Sequence, residues 1–408
     1  MKTAEKLLQK VENGTIISPK GFFAGGIHAG LRFSKKDVGV IVSEKPASCA
    51  AVYTQNHFQA APLKVTQESI EKSNKLQAVV VNSANANACT GEQGLQDAYE
   101  MRYLVAKRLN MEENLIAVAS TGVIGEFLKM DKIKYGIEHV QFTSTYEGAA
   151  QFQEAILTTD TFQKSSCYEI EIEGKKVLIG GAAKGSGMIH PNMATMLAFV
   201  TTDANIPSPL LQKALKEVTD KTFNQITVDG DTSTNDMVLV LANGEAGHQP
   251  LTEEHPDWGL FKEGLKEVCE DLAKQIARDG EGATKLVEVN VNGAKSKEAA
   301  NVIAKQIVGS SLVKTAIYGT DVNWGRIICA VGYSQADINP AHVEIFIGPY
   351  LMFKEGVPQP FSEEEAKNYL ENETVTITVN LKDGTENGKA WGCDLTYDYV
   401  KINASYRT

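Results

Sequence analysis

The sequence has no cluster of lysines and arginines, no closely paired cysteines and no apolar run longer than a strand. Against 40 basic residues stand 51 acidic ones, giving a net charge of −11 over 408 residues. Nucleic acids and anionic membrane surfaces are held by basic patches, so neither is expected as a partner. Cys49, Cys89, Cys167, Cys269, Cys329 and Cys393 show no C-x-x-C spacing, which argues against a disulfide framework and fits a reducing cytoplasm. None of the 7 histidines forms H-E-x-x-H or joins a cysteine at zinc spacing, so no metal is expected. Runs such as Met237–Ala242 fall far short of the ~20 residues of a spanning helix. The opening MKTAEKLLQKVENG is amphipathic and lacks an apolar stretch with a cleavage site, so no secretion is expected. What is abundant is core material: 43% of the residues are hydrophobic, enough for a large globular protein.

Short β-branched runs alternate with longer amphipathic segments, the pattern of a mixed α/β architecture. Strands are predicted at Val38–Val42, Gln77–Val81, Leu115–Ala119, Tyr168–Ile172, Val177–Ile179, Met196–Thr201, Met237–Ala242, Leu286–Val291, Val343–Ile347 and Val375–Val379. Helices are predicted behind a capping box of Thr90 and Gln93, behind Ser208–Pro209, over Trp258–Ala277, and behind Ser362 with Glu365. No repeat or low-complexity linker divides the chain. The sharpest local change is the glycine-rich stretch Gly180–Gly187, where a boundary would fall.

Several motifs fail on inspection. Gly185-Ser186-Gly187 lacks the third glycine of a dinucleotide loop, His190 standing in its place, and neither a phosphate-binding G-x-x-x-x-G-K-[ST] nor a G-x-S-x-G nucleophile elbow occurs. The run DGDTSTND at Asp229–Asp236 lacks the glycine and third ligand of a calcium loop and reads as a polar turn between strands. Cys89 reads as a small buried thiol with no catalytic role.

The segment Lys184–Ala204 places glycines, Pro191 and Asn192 directly before Thr195, and Thr195 directly before a buried-strand run. A strained junction of this kind can present the Ala194 carbonyl to the Thr195 hydroxyl for an N-to-O acyl shift and hydrolysis. Cleavage would give Thr195 a free α-amine with a reference pKa of roughly 7.7 to 8.0, able to act as its own base. On local features alone, an ordinary glycine-rich loop feeding a core strand is the better reading.

Five ordered motifs change that balance. TQNHFQAAP (Thr54–Pro62), VNSANANACTG (Val81–Gly91), STGVIGE (Ser120–Glu126), ITVDGDTSTND (Ile226–Asp236) and YGTDVNWGRI (Tyr318–Ile327), with the ending NASYRT, resemble the ornithine acetyltransferases, the bifunctional glutamate N-acetyltransferases of arginine biosynthesis. The resemblance implies an α-β-β-α layered sandwich of stacked mixed sheets flanked by helices. It implies self-cleavage between Ala194 and Thr195 into 1–194 and 195–408, which remain one intertwined unit and pair into an α2β2 or larger assembly.

It also implies a ping-pong reaction. Thr195 takes acetyl from N-acetylornithine, ornithine leaves, and glutamate collects the acetyl group. No bound cofactor is implied, and acetyl-CoA as a second donor is left open. Thr121 and Gly122 correspond to the oxyanion hole, where preorganised donors matter most. Thr158, Lys184, Glu281, Asn403 and Thr408 correspond to substrate contacts, with Thr159 the one-residue alternative to Thr158. Without the resemblance, Lys184 and Glu281 read as solvated loop residues. Two other functions compete: a related self-processing aminopeptidase, and an amino-acid-binding protein that never cleaves.

Overall fold

The computed structural model describes residues 8–190 and 196–405. Ala194, Thr195 and Thr408 lie outside the described residues. By contacts the chain divides into two compact units. The first comprises Met1–Gly185, Asn192–Phe223 and Thr232–Leu272; the second comprises Ser186–Pro191, Asn224–Asp231 and Ala273–Thr408. The expected boundary in Gly180–Gly187 is thus met at Gly185, but the chain passes between the units more than once.

The first unit holds a nine-stranded mixed sheet: β1 (Leu8–Lys10), β2 (Phe22–Ile27), β3 (Val38–Tyr53), β4 (Lys75–Asn85), β5 (Ile116–Val123), β6 (Lys164–Ile172), β7 (Lys175–Lys184), β8 (Leu197–Thr202) and β9 (Met237–Ala242). Their order is β1-β6-β7-β8-β9-β3-β4-β5, with β2 also paired to β3. Helices α1 (Ala61–Ser73), α2 (Gly91–Leu109), α3 (Met130–His139), α4 (Tyr146–Ile156) and α5 (Ser208–Thr219) belong to it, as does α6 (Trp258–Arg278) as far as Leu272.

The strand β4 shows why the sequence runs apolar here without alternation. Val79 and Val81 join a core with Phe152 and Ile156 of α4. Ala78 and Val80 join another with Met101 and Val105 of α2 and Ile133 and Ile137 of α3. A strand buried on both faces has no polar side to display.

The long strand β3 serves two neighbours. Val38–Val42 pair with β4 and Ser48–Tyr53 pair with β9, and the register with β4 breaks between Val42 and Ala47. Only Val38–Val42 is predicted from sequence. The polar interruption and Pro46 conceal the continuation because proline cannot donate to the ladder and marks an irregularity.

The second unit holds β10 (Leu286–Ala294), β11 (Glu344–Ile347), β12 (Tyr350–Lys354), β13 (Val357–Pro358), β14 (Thr374–Asn380) and β15 (Glu386–Cys393), in the order β13-β12-β11-β14-β10-β15. It also holds α7 (Lys297–Gly309), α8 (Ser311–Tyr318), α9 (Trp324–Gly332), α10 (Glu363–Leu370) and α11 (Tyr397–Ala404). Here strands alternate cleanly. Val287, Val289 and Val291 of β10 and Val375, Ile377 and Val379 of β14 face Ile303 and Ile307 of α7 and Ile327 and Val331 of α9, the signature of a sheet with one covered face.

The mixed α/β class is therefore as read, and all ten predicted strands are present. Ser208, followed by Pro209, opens α5 as predicted; its hydroxyl donates to the Asn74 carbonyl at 2.6 Å. Two local readings are corrected. Thr90 occupies the N-cap of α2, but its side chain caps nothing; the hydroxyl donates to Asn87 Oδ1 at 2.7 Å instead. Cys89 is exposed, not buried; it sits at φ 58° between other left-handed residues, Asn87 and Gly91, in a turn that directs its thiol outward. Ser362 caps α10 through the Glu365 N–H, as predicted.

Candidate active site

The strand ends of the first unit gather the candidate residues. Lys184 closes β7 opposite Leu197 of β8, two positions after Thr195 in the chain. It is not a solvated loop lysine but is 8% exposed. Its ammonium donates to Thr158 Oγ1 at 2.7 Å and to Thr121 Oγ1 at 3.4 Å. Of the two adjacent threonines, Thr158 is thus the one joined to the lysine.

Below the lysine lies Asp160, 2% exposed. Its Oδ1 accepts from Lys164 Nζ and from the Gly185 N–H, each at 2.7 Å. Its Oδ2 accepts from the Thr158 N–H at 2.9 Å and lies 3.9 Å from Lys184 Nζ. Burial alone would raise this carboxyl, but Lys184 and Lys164 together with the hydrogen bonds outweigh it and hold the group well below the usual carboxylate range. The cluster therefore carries a fixed negative charge beneath two cations, which orients Lys184 and Thr158. Arg32 braces the same turn from its other side, donating to the Leu157 and Thr158 carbonyls at 2.5 and 3.0 Å.

Thr121 and Gly122 lie within β5, which runs on to Val123 past the predicted end at Ala119, and pair in parallel with Ser83 and Ala84 of β4. Gly122 has φ 129°, and a Cβ there would stand 2.0 Å from the Ala84 carbonyl oxygen. Only glycine fits both that backbone and that approach. This stretch of β5 is fixed from behind: Asn235 Nδ2 donates to the Ala86 and Ser120 carbonyls at 2.5 and 2.8 Å, and Ser120 Oγ donates to Asn82 Oδ1 at 2.5 Å. A hydroxyl and a glycine N–H on one rigid strand end can serve a developing oxyanion.

In the second unit Glu281 is 6% exposed, not a solvated carboxylate. Asn403 Nδ2 donates to its Oε2 at 2.7 Å, and the Glu281 N–H donates to the Ser186 carbonyl at 3.2 Å. Gly187 lies so close that a Cβ would meet the Glu281 carboxyl at 2.4 Å. The segment that follows Gly187 is anchored further by Asp229, which accepts from the Met188 and Ile189 N–H groups at 2.7 and 2.9 Å. His190 Nδ1 lies 2.9 Å from Thr227 Oγ1. Burial, helped by Lys305, lowers its imidazole to about 4, so it is neutral at physiological pH.

Sequence reasoning missed Asp160, Asn235 and Asp236. Asp160 and Lys164 stand four apart, a spacing visible in the sequence, but nothing in it marks them as buried. Asn235 and Asp236 lie in the run read only as a polar turn.

Among the described residues no group of three or more His, Cys, Asp and Glu side chains is arranged to hold a metal ion, and no helix is long and apolar enough to cross a membrane. The chain belongs to the ArgJ family, whose model matches residues 23–408, and is an acetyltransferase of arginine biosynthesis. It is 66% identical to the arginine biosynthesis bifunctional protein ArgJ of Geobacillus kaustophilus, over 98% of this chain and 97% of that one. A crystal structure of the same-named protein from Bacillus halodurans is 63% identical and matches with a TM-score of 0.51, covering 52% of this chain and 100% of that chain. The ornithine acetyltransferase of Mycobacterium tuberculosis, solved with ornithine, is 33% identical with a TM-score of 0.43, over 46% of this chain and 100% of that one.

Proposed function

We propose that this acetyltransferase of arginine biosynthesis cuts itself between Ala194 and Thr195 and then moves acetyl from N-acetylornithine to glutamate through an acetyl-Thr195 intermediate. In the first stage the Thr195 hydroxyl attacks the Ala194 carbonyl and the peptide C–N bond breaks, which frees the Thr195 α-amine and leaves an ester; hydrolysis of that ester releases the Ala194 carboxylate and restores the Thr195 hydroxyl. In the second, that amine accepts the hydroxyl proton as the oxygen attacks the acetyl carbonyl, and the Thr121 hydroxyl and Gly122 N–H take the oxyanion. Protonation of the leaving nitrogen releases ornithine. The glutamate amine then attacks the acetyl-threonine ester and departs as N-acetylglutamate, restoring the hydroxyl.

Lys184 holds the substrate α-carboxylate beside Thr158. Glu281, oriented by Asn403, takes the side-chain ammonium of ornithine, and Thr408 completes the substrate contacts. No bound cofactor takes part; acetyl-CoA serves, if at all, as an alternative acetyl donor. The pieces pair into an α2β2 or larger assembly working in the cytoplasm.

The observation that carries the reading is the buried contact of Lys184 with Thr158 and Thr121, on the strand paired with the residues that follow Thr195.

The test is an assay with N-acetylornithine and glutamate, with and without acetyl-CoA, on wild type and Thr195→Ala. Transfer that survives the substitution refutes the mechanism. Transfer of acetyl to water or peptide hydrolysis in place of transfer to glutamate would move the reading to an aminopeptidase.

A further inference from the structure

The run Thr232–Asp236, which reads as a polar turn in the sequence, is half-buried at Thr232 and Ser233, buried from Thr234 onward, and tied down by its neighbours. Thr54 Oγ1 donates to the Ser233 carbonyl at 2.8 Å and Asn56 Nδ2 to the Thr232 carbonyl at 3.0 Å. The Ala60 N–H donates to Thr234 O and the Thr54 N–H to Asp236 O, each at 3.0 Å. Thr234, Asn235 and Asp236 are 6%, 5% and 3% exposed. A surface turn needs none of this.

The two side chains at its end reach in different directions. Asn235 holds the strand end that carries Thr121, through the Ser120 and Ala86 carbonyls. Asp236 precedes β9, whose Met237 N–H donates to the Met196 carbonyl at 2.9 Å. The Asp236 carboxyl is faced by the Met196 N–H and by the hydroxyl and N–H of Ser233. Its Oδ2 has no hydrogen-bond partner. The peptide nitrogen of Met196 is bonded to the carbonyl carbon of Thr195. One dipeptide therefore grips the oxyanion strand end with its first side chain and the chain beside the nucleophile with its second.

We propose that Asn235 and Asp236 are a positioning pair, which sets the separation between the Thr121–Gly122 strand end and Thr195 for both self-cleavage and acetyl transfer. The inference rests on the reading of Thr195 as nucleophile. Burial is the dominant influence on the Asp236 carboxyl and pushes it well above the usual range, against the lowering effects of Ser233, Lys184 and Met196. An amide of the same shape can accept the same N–H groups of Met196 and Ser233 in its place.

The test uses the full chain carrying Asp236→Ala, Asp236→Asn, Asn235→Ala or Thr195→Ala. Cleavage is followed by denaturing mass analysis, and kcat and KM for transfer are measured on the cleaved fraction. Displacement of reacting groups by about 1 Å costs on the order of 100-fold in rate. Asp236→Ala and Asn235→Ala are expected to slow cleavage and lower kcat about 100-fold, with KM for N-acetylornithine held. Asp236→Asn is expected to restore most of both rates.

Wild-type cleavage and kcat in the two alanine variants overturn the pairing. Failure of the folded Asp236→Asn to rescue overturns the role given to the hydrogen bonds that the Asp236 side chain accepts. If Asp236→Ala does not fold, Asn235→Ala alone decides: lowered kcat at constant KM supports the pair, and unchanged kcat refutes it. Transfer by Thr195→Ala would instead refute the underlying reading of the nucleophile.

Discussion

Removing the Asp160 carboxylate should cost the protein stability before it costs activity. Asp160 and Lys164 are 2% and 0% exposed and lie 2.7 Å apart, so neither charge has water to fall back on. Breaking such a buried pair by deleting one partner typically costs about 3–5 kcal/mol, most of it the penalty of leaving the other charge uncompensated. Asp160→Ala also strands the Gly185 and Thr158 N–H groups, each bonded to the carboxylate at under 3 Å. An orphaned buried donor costs about 1–3 kcal/mol, though such terms are not additive.

Urea unfolding at pH 7 measures this most cleanly in a Thr195→Ala background, which keeps the chain in one piece on the mechanism above. The expected loss is about 3–5 kcal/mol at unchanged m-value. Replacing both partners, as in Asp160→Leu with Lys164→Met, should recover much of it.

The pH dependence has a defined sign. A depressed folded-state pKa means that the contribution is present above the ordinary aspartate value of about 3.9 and is lost as pH falls through the folded value below it. A loss in Asp160→Ala of under about 1 kcal/mol, the scale of an exposed pair, would refute the assignment of Asp160 as the buried anchor of Lys184 and Thr158.

Four further outcomes follow from the site. Gly122→Ala puts a Cβ 2.0 Å from the Ala84 carbonyl, and the displaced N–H should lower kcat by about 100- to 1,000-fold in steady-state assays. Lys184→Met removes a charge-assisted bond worth about 1.5–3 kcal/mol, so KM for N-acetylornithine should rise roughly 10- to 100-fold. Asn403 is exposed and makes one bond to Glu281, so Asn403→Ala should raise that KM only about fivefold, the equivalent of ~1 kcal/mol. Because the folded His190 titrates near 4, its contribution to stability is full above the ordinary value of about 6.5 and is lost as pH falls from there toward 4. Thermal unfolding of wild type should weaken more steeply over that window than that of His190→Gln.

The sequence was legible where one side chain speaks for its surroundings. Met237–Ala242 is apolar throughout because both of its faces are covered, and its strand is predicted to the residue. Ser362 and Glu365 mark the start of α10 because a cap is a local device. Phe22–Ile27 and Glu386–Cys393 were not legible: paired glycines conceal the first, which pairs with the next strand, β3, and polar residues and glycines conceal the second, whose partner β10 lies about a hundred residues earlier in the chain. In the site, the resemblance to the acetyltransferases supplied Lys184, Thr158 and Thr121, which the fold brings into contact with one another. Asp160, Asn235 and Asp236 were illegible for a physical reason. Acidic and amide side chains in a run of Thr, Asp and Asn look like a solvated turn until the carbonyls and cations they bind are brought from elsewhere in the chain.

The central claim is that Thr195 becomes an N-terminal nucleophile and carries the acetyl group. Denaturing mass spectrometry of the purified protein, before and after brief exposure to N-acetylornithine without glutamate, tests both halves at once. The account predicts two pieces divided between Ala194 and Thr195, with the piece that begins at Thr195 gaining the mass of one acetyl group and losing it when glutamate is added. An intact chain with full transfer activity, or an acetyl group carried on any other residue, would contradict it.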